Sequence, residues 1–136
     1  MTAMDDNVTD WTELREFQGV ELGSSFVLSW RYDKEVLEID ADVCLTPQHA
    51  FYEPPRPSEG ACIMPAVIEF PVCERLVVAG RNRAQGAIKS LTGRLPHGRI
   101  KGLQRIAEGI YRIDGEFGEV EIHAERPLLR LRARLT

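Results

Sequence analysis

The side chains best suited to binding a ligand lie in the loop formed by residues 46–60. This stretch carries an imidazole, a phenol, a guanidinium and a carboxylate, in His49, Tyr52, Arg56 and Glu59. Such groups recognise polar or anionic ligands through hydrogen bonds and ion pairs, and loops held by rigid strands are where binding residues concentrate. We therefore predict these four side chains as a ligand-binding site. The alternative is a purely structural loop that its prolines stiffen.

Catalysis would need an activated nucleophile beside a base, and His49 with Cys62 or with Glu59 is the local pairing that offers one. The chain has no G-x-S-x-G, H-E-x-x-H, G-x-G-x-x-G or Walker-type motif. We therefore predict no catalytic residue, and an enzyme is kept only as an alternative.

The cysteines and histidines do not have the spacing of a metal site. Structural zinc sites bring two ligands from one short knuckle, and no such pair occurs among the three cysteines and three histidines. An odd number of cysteines without C-x-x-C spacing indicates reduced, buried thiols rather than a disulfide framework. We expect no metal and no cofactor, and a cytoplasmic location. The thiols in question are Cys44, Cys62 and Cys73.

Charge is distributed unevenly along the chain, whose net charge is −4. Residues 1–42 contain eleven acidic side chains against three basic ones, whereas residues 80–107 contain seven basic side chains and no acidic one. Either the two regions neutralise each other in the fold, or the cations of residues 81–101 bind an anion. Nucleic-acid binding is not expected, because the whole chain is acidic and no aromatic residue lies between Pro71 and Ile110.

Two runs, residues 26–32 and 37–45, alternate between apolar and polar side chains and are predicted to be antiparallel strands. A loop of two or four residues around residues 33–35 would keep both apolar rows on one side. The opposite row of Glu38, Asp40 and Asp42 is predicted to be solvated. The predicted core rows are Phe26, Leu28, Trp30 and Tyr32 in the first strand and Leu37, Ile39, Ala41, Val43 and Leu45 in the second.

The C-terminal third repeats this alternation, with a tight turn predicted at Gly115-Glu116 and a second near residues 125–127. That pairing would place Arg130 and Arg132 opposite Glu121 and Glu119 in a surface ladder. Residues 61–79 contain two prolines, which favour edge or bulged strands over central ones. Residues 80–99 contain four glycines and a proline, so short strands or turns are expected there.

An N-terminal helix is predicted from Asp10 as N-cap, with Glu13 completing a capping box and Gly19 ending it; an extended arm is the alternative. The whole pattern predicts an all-β fold, an antiparallel sandwich or partly closed barrel with this short N-terminal helix. One domain is expected over residues 1–136, divided into a helix or arm (1–24) and a β domain (25–136).

No segment is long or apolar enough for a membrane span or a secretory signal. We predict a non-enzymatic protein-interaction domain of a bacterial type of cytoplasm, whose partner is a protein. The first alternative is a small-molecule or anion-binding β domain that uses the 46–60 loop. The second is the enzyme described above. An uncovered sheet edge could also form a homodimer.

Overall fold

The computed structural model describes residues 8–132, which form a mostly antiparallel sheet with one α-helix. The all-β prediction is confirmed. The strands are β1 (Thr9–Asp10), β2 (Val20–Asp33), β3 (Val36–Leu45), β4 (Cys62–Phe70), β5 (Arg75–Val78), β6 (Arg81–Ala84), β7 (Gly98–Ala107), β8 (Ile110–Gly115), β9 (Gly118–His123) and β10 (Leu128–Leu131), and the helix is α1 (Gln85–Thr92).

The strands follow the order β10-β4-β3-β2-β7-β8-β9-β5-β6, and the sheet is not closed between its two ends in the part of the chain described. Strand β2 pairs with only two residues at the start of β7, and β1 pairs with two residues near its end. The sheet therefore folds over at β2 and β7 into two layers. The rings of Phe70 in β4 and Tyr111 in β8 lie 5.5 Å apart between these layers, within one apolar core.

The β2–β3 and β8–β9 hairpins confirm the predicted faces of the residues next to their turns. Lys34 and Glu35 form a two-residue turn with positive φ values of 50° and 65°, the conformation that matches strand twist. The β8–β9 turn is Glu116–Phe117, one residue later than predicted, because Gly115 pairs with Gly118. The inward row of β3 is buried throughout, from Leu37 to Leu45.

The predicted face of β2 is wrong for its first half. Val27 pairs with Ala41 and Ser29 with Asp40, so Leu28 is an extra residue that has no partner in β3. This bulge reverses the alternation, because one inserted residue moves the following side chains to the other face. Phe26 and Leu28 are therefore 41% and 46% exposed, while Val27 is buried and Trp30 points inward as predicted.

Strand β4 contains Pro65 yet is not an edge strand, contrary to the prediction. It lies between β3 and β10, and the amide of Arg132 donates to the Pro65 carbonyl at 2.8 Å. That contact comes one residue beyond the last register pair, Leu131 with Ala66. The missing N–H of proline is therefore tolerated because the ladder between β4 and β10 ends there.

Helix α1 occupies the region where short strands or turns were predicted. Ile88, Leu91 and Thr92 follow a helical spacing and face the core, and Ile88 is completely buried. Gly86 and Gly93 flank this stripe and concealed it in the sequence. After the helix, the Pro96 carbonyl accepts a hydrogen bond from Trp30 Nε1 at 2.8 Å, which ties this connection to β2.

The predicted continuous N-terminal helix is wrong. Two single turns of 3₁₀-helix, Trp11–Glu13 and Arg15–Phe17, take its place. Asp10 is the N-cap as predicted, and its carboxylate accepts from the Thr12 amide at 3.2 Å. Leu14 breaks the helix with extended backbone because its side chain turns into the core. No helix among residues 8–132 has the length and apolar character needed to cross a membrane.

Candidate functional sites

The predicted ligand-binding loop begins as a series of tight turns against the N-terminal segment. The His49 amide donates to the Thr46 carbonyl at 2.9 Å, and the Tyr52 amide donates to the His49 carbonyl at 3.1 Å. His49 Nδ1 accepts from the Phe51 amide at 3.0 Å, so this ring nitrogen stabilises the loop itself. Gly19, with φ of +81°, lies so close that a Cβ there would meet the His49 backbone at 2.8 Å. His49 is therefore fixed in place by local contacts.

The four predicted ligand-binding residues do not come together. His49 lines a cleft of about 750 Å³ between residues 11–21 and 46–50. Arg56 and Glu59 line a separate cleft of about 290 Å³, together with Cys62. Tyr52 lines neither of these two clefts and packs half-buried against the core. The loop thus divides its polar side chains between two small surfaces.

Arg56 and Glu59 are held by one turn. The Arg56 amide donates to Glu59 Oε1 at 3.0 Å, and the Glu59 amide donates to the Arg56 carbonyl at 2.8 Å. Cys62 is buried and lines a different cleft from His49, so the geometry offers no support for a nucleophile–base pair between them. Within residues 8–132, no group of three or more His, Cys, Asp or Glu side chains is placed to hold a metal ion.

The acidic row of β3, predicted to be solvated, is instead largely neutralised. Asp40 accepts hydrogen bonds from Ser29 at 2.7 Å, from Arg31 at 2.9 and 3.0 Å, and from Arg132. Glu38 lies 3.4 Å from Arg31 and 3.8 Å from Arg130. Glu38 and Asp40 are therefore compensated by Arg31 of β2 and by Arg130 and Arg132 at the end of the described chain.

Strand β10 pairs with β4 and not with β9, so the predicted partners of its arginines are wrong. Arg130 contacts Glu69 and Glu38, and Arg132 contacts Asp40. The turn after β9 carries the chain across to the other layer, where an unfilled edge of β4 accepts it. Glu119, one of the predicted partners, instead lies 3.9 Å from Arg112 of β8.

The cations of residues 81–101, which we call the basic segment, keep their charge uncompensated. Within residues 8–132, none of their side chains has a carboxylate within 4.0 Å. The two regions of opposite charge therefore do not neutralise each other. The cations are Arg81, Arg83, Lys89, Arg94, Arg99 and Lys101, and all except the half-buried Arg83 are exposed.

One part of the basic segment lies beside exposed apolar side chains. Arg99 pairs with Phe26 where β7 meets β2, and its guanidinium carbon lies 5.6 Å from the centre of the Phe26 ring. Leu28 and Lys101 are exposed two positions further along these antiparallel strands, one on each side of the pair between Phe26 and Arg99. We call these four side chains the β2–β7 face. Sequence alternation assigned Phe26 and Leu28 to the core, and no signal in the sequence marks the bulge that exposes them.

Comparisons with protein-family models, with curated proteins and with solved structures found no match to this chain. The function must therefore be inferred from the surfaces and clefts of the molecule itself.

Proposed function

We propose that this protein is a non-enzymatic protein-interaction domain that docks an acidic partner protein on the β2–β7 face. The observation that supports this proposal is the charge arrangement. Glu38 and Asp40 of β3 are paired with Arg31, Arg130 and Arg132, while no side chain of the basic segment has a carboxylate within 4.0 Å among the described residues. The Glu116 carboxylate accepts from the Arg99 backbone amide at 2.7 Å and leaves the Arg99 guanidinium unpaired in the described chain. A surface whose cations are uncompensated attracts an acidic partner and speeds its encounter.

The apolar side chains of the β2–β7 face provide exposed surface that a partner can bury on binding. Phe26 and Leu28 are close to half exposed, and an aromatic ring with an arginine over it is the composition enriched at interface centres. Phe26 is partly supported by Arg99 already, so little conformational freedom remains to be lost on docking. We expect the partner to present leucine or valine between glutamates or aspartates.

The proposal favours a protein over a nucleic acid for the same reasons. The β2–β7 face offers the single ring of Phe26, where stacking of successive bases needs several, and its exposed Leu28 suits an apolar side chain of a protein. A reducing cytoplasm, of bacterial type, fits the three cysteines, which are all buried and unpaired.

A synthetic peptide of alternating glutamate and leucine, about twelve residues long, tests the proposal by fluorescence anisotropy at low and high salt. We expect binding that weakens with salt. The double variant Arg99→Glu with Lys101→Glu should weaken it by about tenfold or more, because two attractive charges become repulsive. Arg15→Glu with Lys34→Glu is the matched control, since both side chains are exposed, without ion pairs in the described chain, and outside the face.

Equal losses in the two double variants would contradict the proposal, because the effect would then come from net charge alone. Tighter binding of a single-stranded oligonucleotide than of the peptide would contradict it as well. If the peptide does not bind while a compound from a metabolite library raises the melting temperature of the protein, the small-molecule alternative replaces the protein-interaction proposal.

A further inference from the structure

A third cleft lies at the far end of β7 from the β2–β7 face. It has a volume of about 480 Å³ and is lined by Arg105, Ala107, Glu108, Gly109, Tyr111 and Arg126. Arg105 follows Arg99 by six residues, so the two sites are about 20 Å apart along the strand. A volume of this order is enough to enclose a small molecule. The cleft is therefore distinct from the proposed docking surface.

Arg126 is oriented from behind by a buried carboxylate. Its Nε lies 2.9 Å from Glu16 Oε2 in an ion pair, and the Glu16 side chain is only 16% exposed. The contact uses one oxygen, and Glu16 Oε1 is buried without any hydrogen-bond donor. No other contact of the Arg126 guanidinium is found within residues 8–132. Its two Nη groups remain available to the cleft.

Arg105 is held by a neutral partner. Arg105 lies directly opposite Tyr111 in the ladder between β7 and β8, and Tyr111 is 1% exposed in the core. Burial raises the pKa of the Tyr111 phenol, with Arg105 opposing the rise and Glu16 adding to it, so Tyr111 is uncharged at neutral pH. A neutral phenol positions the guanidinium without compensating its charge. Arg105 has no carboxylate within 4.0 Å in the described chain.

The two guanidiniums belong to one cluster. Arg105, Arg126 and Glu16 all act electrostatically on the same Tyr111 hydroxyl, so the four groups lie close together. Glu16 offsets one of the two positive charges. Glu108 also lines the cleft, but it is exposed to water and its charge is screened there. The lining of the cleft therefore offers the N–H donors of two guanidiniums against the acceptors of one carboxylate.

We propose that this cleft binds a small oxyanion, the carboxylate or phosphate group of a small molecule, between Arg105 and Arg126. The planar guanidinium presents paired N–H donors that match the oxygens of a carboxylate or phosphate. Glu16 and Tyr111 are positioning residues, because each holds one arginine without contacting the anion.

Inorganic phosphate and acetate are the probes, titrated separately into the full chain at constant ionic strength and followed by the melting temperature and by NMR shifts of residues 105–111. We expect saturable binding of at least one of them. If phosphate binds more tightly than acetate, the ligand carries a phosphate group. If acetate binds more tightly, the ligand carries a carboxylate group. Arg105→Gln should weaken binding by about tenfold. Tyr111→Phe, which keeps the ring in the core, should weaken it several-fold.

Arg112→Gln is the matched control, since it removes the same charge from the next strand, where Arg112 faces Glu119 at 3.9 Å. It should bind the probes as the unmodified chain does. Absence of saturation with both anions would overturn the proposal, and so would equal weakening by Arg105→Gln and Arg112→Gln. Neither result bears on the acidic-peptide experiment, because Arg99 and Lys101 are unchanged in these variants.

Discussion

At the scale of single residues, Asp40 and Asp42 show how two carboxylates of one strand face can differ. Both project outward from β3, yet Asp40 accepts hydrogen bonds from Ser29, Arg31 and Arg132, and its side chain is 17% exposed. Asp42 makes no hydrogen bond or ion pair in the described chain. The arginines therefore stabilise the outer face at Glu38 and Asp40 and not at Asp42.

Asp40→Asn should lower the free energy of unfolding by about 1–2 kcal/mol, because charge-assisted bonds to two arginines are lost. This loss is smaller than the loss expected for a buried network, because both arginine side chains are about half exposed. Asp42→Asn removes the same charge and should change stability by less than about 0.5 kcal/mol. Urea unfolding of both variants measures the difference. Equal effects would show that the network contributes only through overall charge.

The partners of Asp40 could not be predicted from alternation. Alternation tells which side chains share a face, but it does not tell which distant strand lies alongside. Arg132 is 92 residues away in sequence, and its pairing depends on β10 crossing to β4. The cleft between Arg105 and Arg126 was missed for the same reason, since 21 positions separate residues that only the fold brings together.

At the scale of elements, the bulge at Leu28 decides which side chains of β2 reach the surface. Removing Leu28 would leave Val27 opposite Ala41 and Ser29 opposite Asp40, in an uninterrupted ladder with correct faces on both sides. The deletion variant should therefore fold, with stability within about 1 kcal/mol of the parent.

Deletion of Arg31 is the control, because it would turn Tyr32 outward and reverse the remainder of the strand. That variant should fail to fold, or its free energy of unfolding should fall by several kcal/mol. This is roughly the loss expected when one large side chain and its neighbours are no longer buried. Circular dichroism and thermal melting distinguish the two deletions. A Leu28 deletion as damaging as the Arg31 deletion would show that the bulge is required for the fold.

The elements best predicted from sequence were those that are regular and local. Strand β3 and the β8–β9 hairpin alternate without interruption, and their buried rows from Leu37 to Leu45 and from Tyr111 to Ile122 matched. Helix α1 was missed because it is only eight residues long and its apolar side chains, such as Ile88 and Leu91, lie between Gly86 and Gly93. Its burial against β2, β5 and β6 supplies the stability that its sequence lacks.

At the scale of the whole molecule, stability depends on pH through groups that the core keeps uncharged. Burial raises the pKa of the Cys73 thiol from 9.0 to about 11, and a backbone hydrogen bond at Arg75 opposes the rise. Burial also raises the pKa of Tyr32 and of Tyr111 above 10.0. Each of these groups binds its proton more tightly in the folded state than in the unfolded one.

The contribution of Cys73 is fully present below pH 9, where both states are protonated, and is lost as pH rises toward 11. We expect the free energy of unfolding to fall by about 2 kcal/mol over this range from Cys73 alone. In Cys73→Ala the free energy of unfolding should fall less over the same pH range, although the variant is less stable at neutral pH. Urea unfolding at several pH values measures both. An unchanged slope in Cys73→Ala would assign the effect to the tyrosines.

The open end of the sheet at β6 also bears on how the protein behaves at high concentration. Arg83 lies opposite Leu76, and Arg81 opposite Val78, so both arginines share the sheet face that carries the core. Another molecule extending the sheet at this edge would have to bury two guanidiniums under its own apolar row, at a cost that hydrogen bonds along the backbone do not recover. Extension of the sheet at this edge is thereby disfavoured, and β6 can stay in contact with water without recruiting another strand.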